Sequence, residues 1–293
     1  MPTIPEALAD ALRQRGIPEA VIKTIQPCID VASSPPAEDD ALAVGASKFG
    51  GAPDVPAGFE WPTSGDHPLA FLAQINLADV PHLAEHPLPD DGILSFWFDA
   101  IAEPWGFDPK QADGFQVYYF PVGISIERHE FPEFDVETLD ELAVIDSFEP
   151  YNPCPMAFSL SASVDVNPLD VHDPSYDDHE DAICEIRGEL MGEQGEGVHR
   201  LLGVPTQVQG EMQQECQLVS NGIYCGDEPD ASLKPQIEEL LENADDWRLL
   251  FQIDSDDNPD WMWGDMGCLY FWIRHQDLAR RDFAKVWCVL QCA

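Results

Sequence analysis

The chain has 293 residues, of which 55 are Asp or Glu and only 14 are Lys or Arg, for a net charge of −41. That field argues against a phosphate-tracking nucleic-acid binder and fits either a salt-adapted source, where charge maintains solubility, or a surface matched to a basic partner, and no apolar run approaches the roughly 18 residues of a membrane span. An apolar content of 44% with eight Trp and fifteen Phe supports a sizeable core and argues against disorder.

The chain opens MPTIPEALADALRQRG, without the basic start and apolar core of a signal peptide, so a cytoplasmic location is expected. Thr3 and Glu6 have capping-box spacing, and Pro5 can sit in a first helical turn. Ala7, Leu8, Ala11 and Leu12 form an apolar stripe that Gly16 ends. A second helix is expected after Pro18, with Val21, Ile22 and Ile25 inward. Residues 1–32 therefore read as an N-terminal helical segment. DVASSPPAEDD (30–40) reads as a linker.

Short runs rich in β-branched and aromatic residues then recur between Pro, Gly and Asp clusters, and they read as strands. They are PLAFLAQINL, GILSFWFD, FQVYYFPVGISI, MAFSLSASVDV, RLLFQID, GCLYFWI and KVWCVLQC. Short helical patterns fall near 137–145, 235–243 and 276–283. The acid-rich stretch 165–182 reads as a solvated loop. None of the eight Cys forms a C-x-x-C pair, so they are expected to be reduced and mostly buried.

The runs repeat in order. GGAPDVP (50–56) has a counterpart in LGVPTQV (202–208), FLAQIN (71–76) in LLFQID (249–254), GILSFWF (92–98) in GCLYFWI (267–273), and VYYF (117–120) in WCVL (287–290). The expected fold is α+β and β-rich. Two similar β halves, 45–135 and 195–293, arise by internal duplication and fuse into one body with N-terminal helices. A half this short leaves an apolar sheet face and open edges, so the interface between halves is the natural place for a pocket.

SKFGGAPDVP…WP…PLAFLAQINL, followed by HRLLGVP and QIDSDD…MWGDMGCLYFWI, resembles the YwqG-like family of bacterial proteins, a domain of unknown function. The resemblance runs from about Ser47 to the C-terminus. It implies a β-rich fold of two similar halves and suggests an immunity or interaction role, and it carries over no catalytic residues.

Candidate sites follow from single residues. Asp254, Asp256, Asn258, Asp260 and Asp265 crowd one loop between two strand-like runs. Alternating oxygens suit a hard cation such as calcium, but Pro259 stands where an EF-hand loop needs Gly. A polar turn whose carboxylates cap amides or face water is the competing reading. Trp261 and Trp263 in that loop could plug the core or rim a pocket. GEQGEGVHRLLG (192–203) reads as a flexible turn. His199 and Arg200 stand out within it because cations are rare, and Arg200 is expected to form a buried ion pair with a carboxylate of the Asp-rich loop, with anion binding as the alternative. Gln74 and Gln252 occupy matching strand positions and could read a ligand or satisfy backbone groups. No catalytic constellation rises above the background of acids. The expected function is a non-enzymatic interaction module, of immunity type, that binds a basic protein partner and needs no cofactor. The alternative is a small-ligand binder or an enzyme using a cleft between the halves, assisted by a divalent cation at the Asp-rich loop.

Overall fold

Glu6 N donates to Thr3 Oγ1 and Thr3 N donates to Glu6 Oε2, closing the expected capping box at the start of α1 (Ile4–Gln14). The computed structural model describes residues 3–83, 87–132, 150–169, 172–173, 175–192 and 198–293. The expected helix at 137–145 lies outside them. In chain order, α1 and α2 (Glu19–Ile22) are followed by β1 (Gln26–Ser33), β2 (Lys48–Phe49), β3 (Asp54–Pro56), β4 (Thr63–Ser64) and β5 (His67–Pro68). Then come β6 (Ala70–Asn76), β7 (Ile93–Phe98), β8 (Phe115–Phe120), β9 (Ile126–Arg128) and β10 (Cys154–Ser163). The rest comprises α3 (Tyr176–Met191), β11 (His199–Leu201), α4 (Gln213–Val219), α5 (Lys234–Leu241), β12 (Trp247–Asp254), β13 (Cys268–Arg274), α6 (His275–Ala279) and β14 (Trp287–Gln291).

Among the described residues, ten strands form one antiparallel sheet in the order β14-β13-β12-β11-β1-β10-β2-β6-β7-β8. The fold is therefore β-rich, as expected. The central pair is β1–β10, matched from Gln26↔Ser163 to Ser33↔Met156. Outward from it lie two four-strand blocks, β2-β6-β7-β8 on the β10 side and β11-β12-β13-β14 on the β1 side. The sheet curls until its edges approach. Trp287 Nε1 donates to the Gly106 carbonyl at 2.7 Å, Leu290 N donates to the Trp105 carbonyl, and Phe115 meets Trp287 edge-on at 5.1 Å. Closing an edge in this way removes a site for unwanted strand pairing.

The main core fills the curl, with Phe49, Phe96, Phe98, Phe251 and Phe271 all buried. On the far side of the first block, Val55, Leu69, Phe71, Trp97 and Phe120 form a second layer. Leu8, Leu12, Val21, Ile183 and Ile186 carry α1, α2 and α3 on the central strands. Strands buried on both faces lose alternation and read as continuous apolar runs. This is why ILSFWF and CLYFWI show no polar face: every residue of β7, and every residue of β13 but the last, is buried.

Four expectations are corrected. The helical segment 1–32 ends early, because Gln26–Ser33 is a central strand. Part of the proposed linker, Asp30–Ser33, belongs to that strand, since β10 and β11 fill both its edges. The solvated loop 165–182 gives way to α3 from Tyr176, whose Ile183 and Ile186 pack inward. The flexible turn 192–203 contains β11, three residues wedged between β1 and β12. All eight Cys are free, and six are buried.

Candidate functional site

The Asp-rich loop folds back onto the sheet instead of standing in solvent. Asp254 Oδ2 accepts from Val198 N at 2.9 Å and its Oδ1 accepts from Ser255 N at 3.0 Å. Burial raises the Asp254 pKa, and these amide bonds offset only part of that. Asp256 Oδ2 accepts from His199 Nε2 at 2.8 Å and from Ser33 Oγ at 2.5 Å, while Oδ1 accepts from Asn258 N at 2.8 Å. Burial alone would raise the Asp256 pKa, but the bonds from His199, Ser33 and Asn258 outweigh it and the net shift is downward. Asn258 Nδ2 donates to Ser33 Oγ, tying the loop to the end of β1. His199 Nδ1 accepts from Asp254 N at 3.1 Å, which assigns the proton to Nε2. Both ring nitrogens are thus engaged. Ser33 also bonds the carboxylate and not the imidazole, so the three side chains do not form a Ser-His-Asp relay.

Asp260 and Asp265 are exposed, and Asp260 adopts a left-handed φ of 63°. Among the described residues no three His, Cys, Asp or Glu side chains gather as a metal-binding group. The inward carboxylates of this loop act as backbone and histidine acceptors. Trp261 and Trp263 are buried side by side at 5.3 Å. Trp261 meets Phe49 edge-on at 5.4 Å and Trp263 meets Phe98 at 5.7 Å, so both rings close the end of the main core.

The two glutamines do matching work. Gln252 Oε1 accepts from Thr206 N and its Nε2 donates to the Val198 carbonyl, both at 2.8 Å. Gln74 Oε1 accepts from Asp54 N at 2.9 Å and its Nε2 donates to the Ala46 carbonyl at 2.8 Å. Each clamps the chain before and after a short strand that carries a buried cation. In β11 that cation is Arg200, 1% exposed, whose Nε donates to Asp30 Oδ1 at 3.1 Å and Nη1 to the Val204 carbonyl at 3.0 Å, so its carboxylate comes from β1 and not, as expected, from the Asp-rich loop. In β2 it is Lys48, 0% exposed, whose Nζ donates to Asp39 Oδ1 and the Ala52 carbonyl, both at 2.6 Å. Burial lowers the Lys48 pKa, and the Asp39 carboxylate opposes that shift. Arg128 joins the same group by donating to Asp54 Oδ1 at 3.0 Å and to the Asp39 carbonyl.

Each pairing encloses a cation with a carboxylate, so the excess of carboxylates behind the net charge of −41 is undiminished. Repulsion among them should limit stability when screening is weak. The melting temperature is expected to rise as KCl increases from low to moderate concentration. A flat or falling thermal-melt curve would show that repulsion is not limiting.

The candidate cleft lies elsewhere. A cavity of about 450 Å³ opens beside β12 and β13, with Leu202, Gly203, Leu249, Trp247 and Trp272 at its apolar side. Its polar lining includes Gln26, Asp165, Glu211, Asp245 and Arg248. None of Gln74, His199, Arg200, Gln252, Trp261 and Trp263 lines it. LGVP and the aromatic strand were visible in the sequence as repeat elements. That their side chains border a cavity depends on Thr24, Gln26 and Asp165, which lie at or just beyond one end of the central strand pair.

Comparison with curated proteins returns no match. A family profile spans β2 to the C-terminal strand, covering both four-strand blocks described above. By that match over residues 47–292, the chain belongs to the family described as a domain of unknown function, DUF1963.

Proposed function

We propose that the protein is a non-enzymatic binding module that holds a basic protein partner against its acidic surface, an immunity-type role in the cytoplasm. The observation behind this reading is where the charges sit. Lys48 and Arg200 are fully buried against carboxylates, while α3 presents Asp177, Asp178, Asp181, Glu185 and Glu189 to solvent. Each of these pairs cancels itself, so the excess behind the net charge of −41 falls on other carboxylates. Such a surface speeds encounter with a cationic partner and rejects anionic ones. The resemblance to YwqG-like proteins agrees with an interaction role.

The two blocks are inferred to be copies of one unit, exchanged at their first strands. In support, β1 precedes β2 in the chain but pairs with β11, and β10 precedes β11 but pairs with β2. Gly50 and Gly51 have φ of 56° and 67°, and Leu202 and Gly203 have 61° and 74°. Lys48 and Arg200 each bond a carbonyl four residues onward. The exchange interlocks the halves, so neither block is expected to fold alone.

The partner reading is tested by immobilising the protein and passing lysate of its own source over it at low salt. The control is an unrelated protein of equal net charge. One basic protein retained in stoichiometric amount, absent from the control and released as salt screens the surface, is the expected result. Retention of nothing, or of the same set as the control, would overturn it. A second reading, a small-ligand binder, is favoured by the 450 Å³ cleft.

A further inference from the structure

We infer that the cleft beside Trp272 is a binding site for a small aromatic amine, a planar ring of about indole size carrying a protonated nitrogen. Two places in the sheet share one register. In the first block, β6 carries a bulge between Phe71 and Ala73, Phe71 lies opposite Trp97, and Gln74 lies opposite Ser95. In the second block, β12 carries a bulge between Leu249 and Phe251, Leu249 lies opposite Trp272, and Gln252 lies opposite Tyr270. Gly51 and Gly203, both left-handed, border the two places. Tyr151 beside β10 and Gln26 at the start of β1 border them on another side.

The two places differ in what fills them. In the first block Trp61 and Phe131 occupy the space over Ala70 and Phe71 and leave about 10 Å³. Trp61 sits edge-on to Trp97 at 4.8 Å and donates its Nε1 to the Leu69 carbonyl at 2.9 Å. In the second block the same space over Arg248 and Leu249 is an open cavity of about 450 Å³. Over this β-strand geometry the fold accepts an indole in one half and leaves room for one in the other. The cavity also falls in the size range of small-ligand sites.

The rim, and not the floor, refines the chemistry. Trp97 Nε1 donates to Ser95 Oγ, but Tyr270 replaces that serine in the second block and turns its hydroxyl to the Thr206 carbonyl. Trp272 Nε1, on a residue 1% exposed, has no acceptor among the described residues and is enclosed beneath the floor, so the ring lies below the cavity and its N–H takes no part in choosing the ligand. The rim carries Asp165, Glu211 and Asp245 against Arg248, an excess of negative charge that favours a cation. An anionic aromatic acid would be repelled by the rim and by the protein as a whole. This inference is independent of the partner-binding reading, since a ligand could bind whether or not a basic protein does.

The test uses the whole chain in moderate salt, with tryptamine, indole, ethylamine and indole-3-acetate titrated in turn. Binding is read from amide resonances of Leu202, Gly203 and Leu249 in two-dimensional NMR spectra. Tryptamine is expected to saturate these resonances, indole to do so more weakly, and ethylamine and indole-3-acetate to leave them unmoved. Asp165→Asn combined with Asp245→Asn, both at the solvent-facing rim, is expected to weaken tryptamine about tenfold and leave indole unchanged. The proposal is overturned if tryptamine shifts only resonances remote from the cleft, if ethylamine matches it, if indole-3-acetate binds as tightly, or if the rim variant binds tryptamine as well as wild type. Ethylamine matching tryptamine would mean that charge alone attracts the amine.

Discussion

Replacing Arg200 by Met is expected to destabilise the protein by about 3–5 kcal/mol, the cost of removing one partner from a buried ion pair. Arg200 is almost wholly enclosed, and the Asp30 side chain beside it is 13% exposed. Water therefore has little access to replace the guanidinium. The Val204 carbonyl and the Thr206 hydroxyl also lose a donor. Chemical denaturation of wild type and variant measures the loss, and a change below about 1 kcal/mol would refute the argument. Arg200→Met combined with Asp30→Leu should recover much of it, because removing both charges removes the desolvation penalty as well. Lys48→Met is a useful contrast. Its partner Asp39 is 28% exposed on its side chain and can rehydrate, so the loss there should be smaller.

Asp256→Asn is expected to cost about 2–3 kcal/mol, although the change is nearly isosteric. The carboxylate accepts from His199 Nε2, from Ser33 and from Asn258 N through two oxygens. An amide supplies one oxygen, and its NH₂ must then face another donor. The sequence leaves a cation loop and a polar turn open for this stretch; the bonds from His199, Ser33 and Asn258 to a buried Asp256 are what make the substitution costly. The pH dependence follows from the lowered Asp256 pKa. A carboxylate with a depressed folded pKa stabilises the fold above its ordinary value of 3.8 and loses that contribution as pH falls through the folded value. The advantage of wild type over Asp256→Asn should therefore be full near neutrality and shrink below about pH 3.8. Asp254, whose pKa burial raises, acts in the opposite sense, since its protonation on acidification relieves a cost. Denaturation midpoints of both proteins across the acid range separate the two. An advantage independent of pH would show that the Asp256 charge is not what matters.

Local chemistry fixes part of this protein. Thr3, Pro5 and Glu6 specify the start of α1 because capping depends only on residues within one turn. The aromatic and β-branched runs specify β6, β7, β12, β13 and β14, because a strand buried on both faces needs little beyond apolar side chains of the right shape. The matching Gln74 and Gln252 were legible as a pair, since both end a similar run. What they bond was not legible, because Ala46, Asp54, Val198 and Thr206 reach them only through folding.

Tertiary structure alone decided the rest. His199-Arg200-Leu201 carries no strand signal, and β1 contains Pro27 and Asp30, which argue against a central strand. Both become strands because neighbours on each side supply hydrogen bonds and because Arg200 stands opposite Asp30 across the ladder. The Asp-rich loop looked solvated because its charge was visible and the partners that bury it, Ser33 and His199, lie far away in the chain. The cleft was invisible for the same reason. Volume is a property of segments that meet, and the segments bordering Trp272 come from the central strand pair, the turn after β11 and the start of β12.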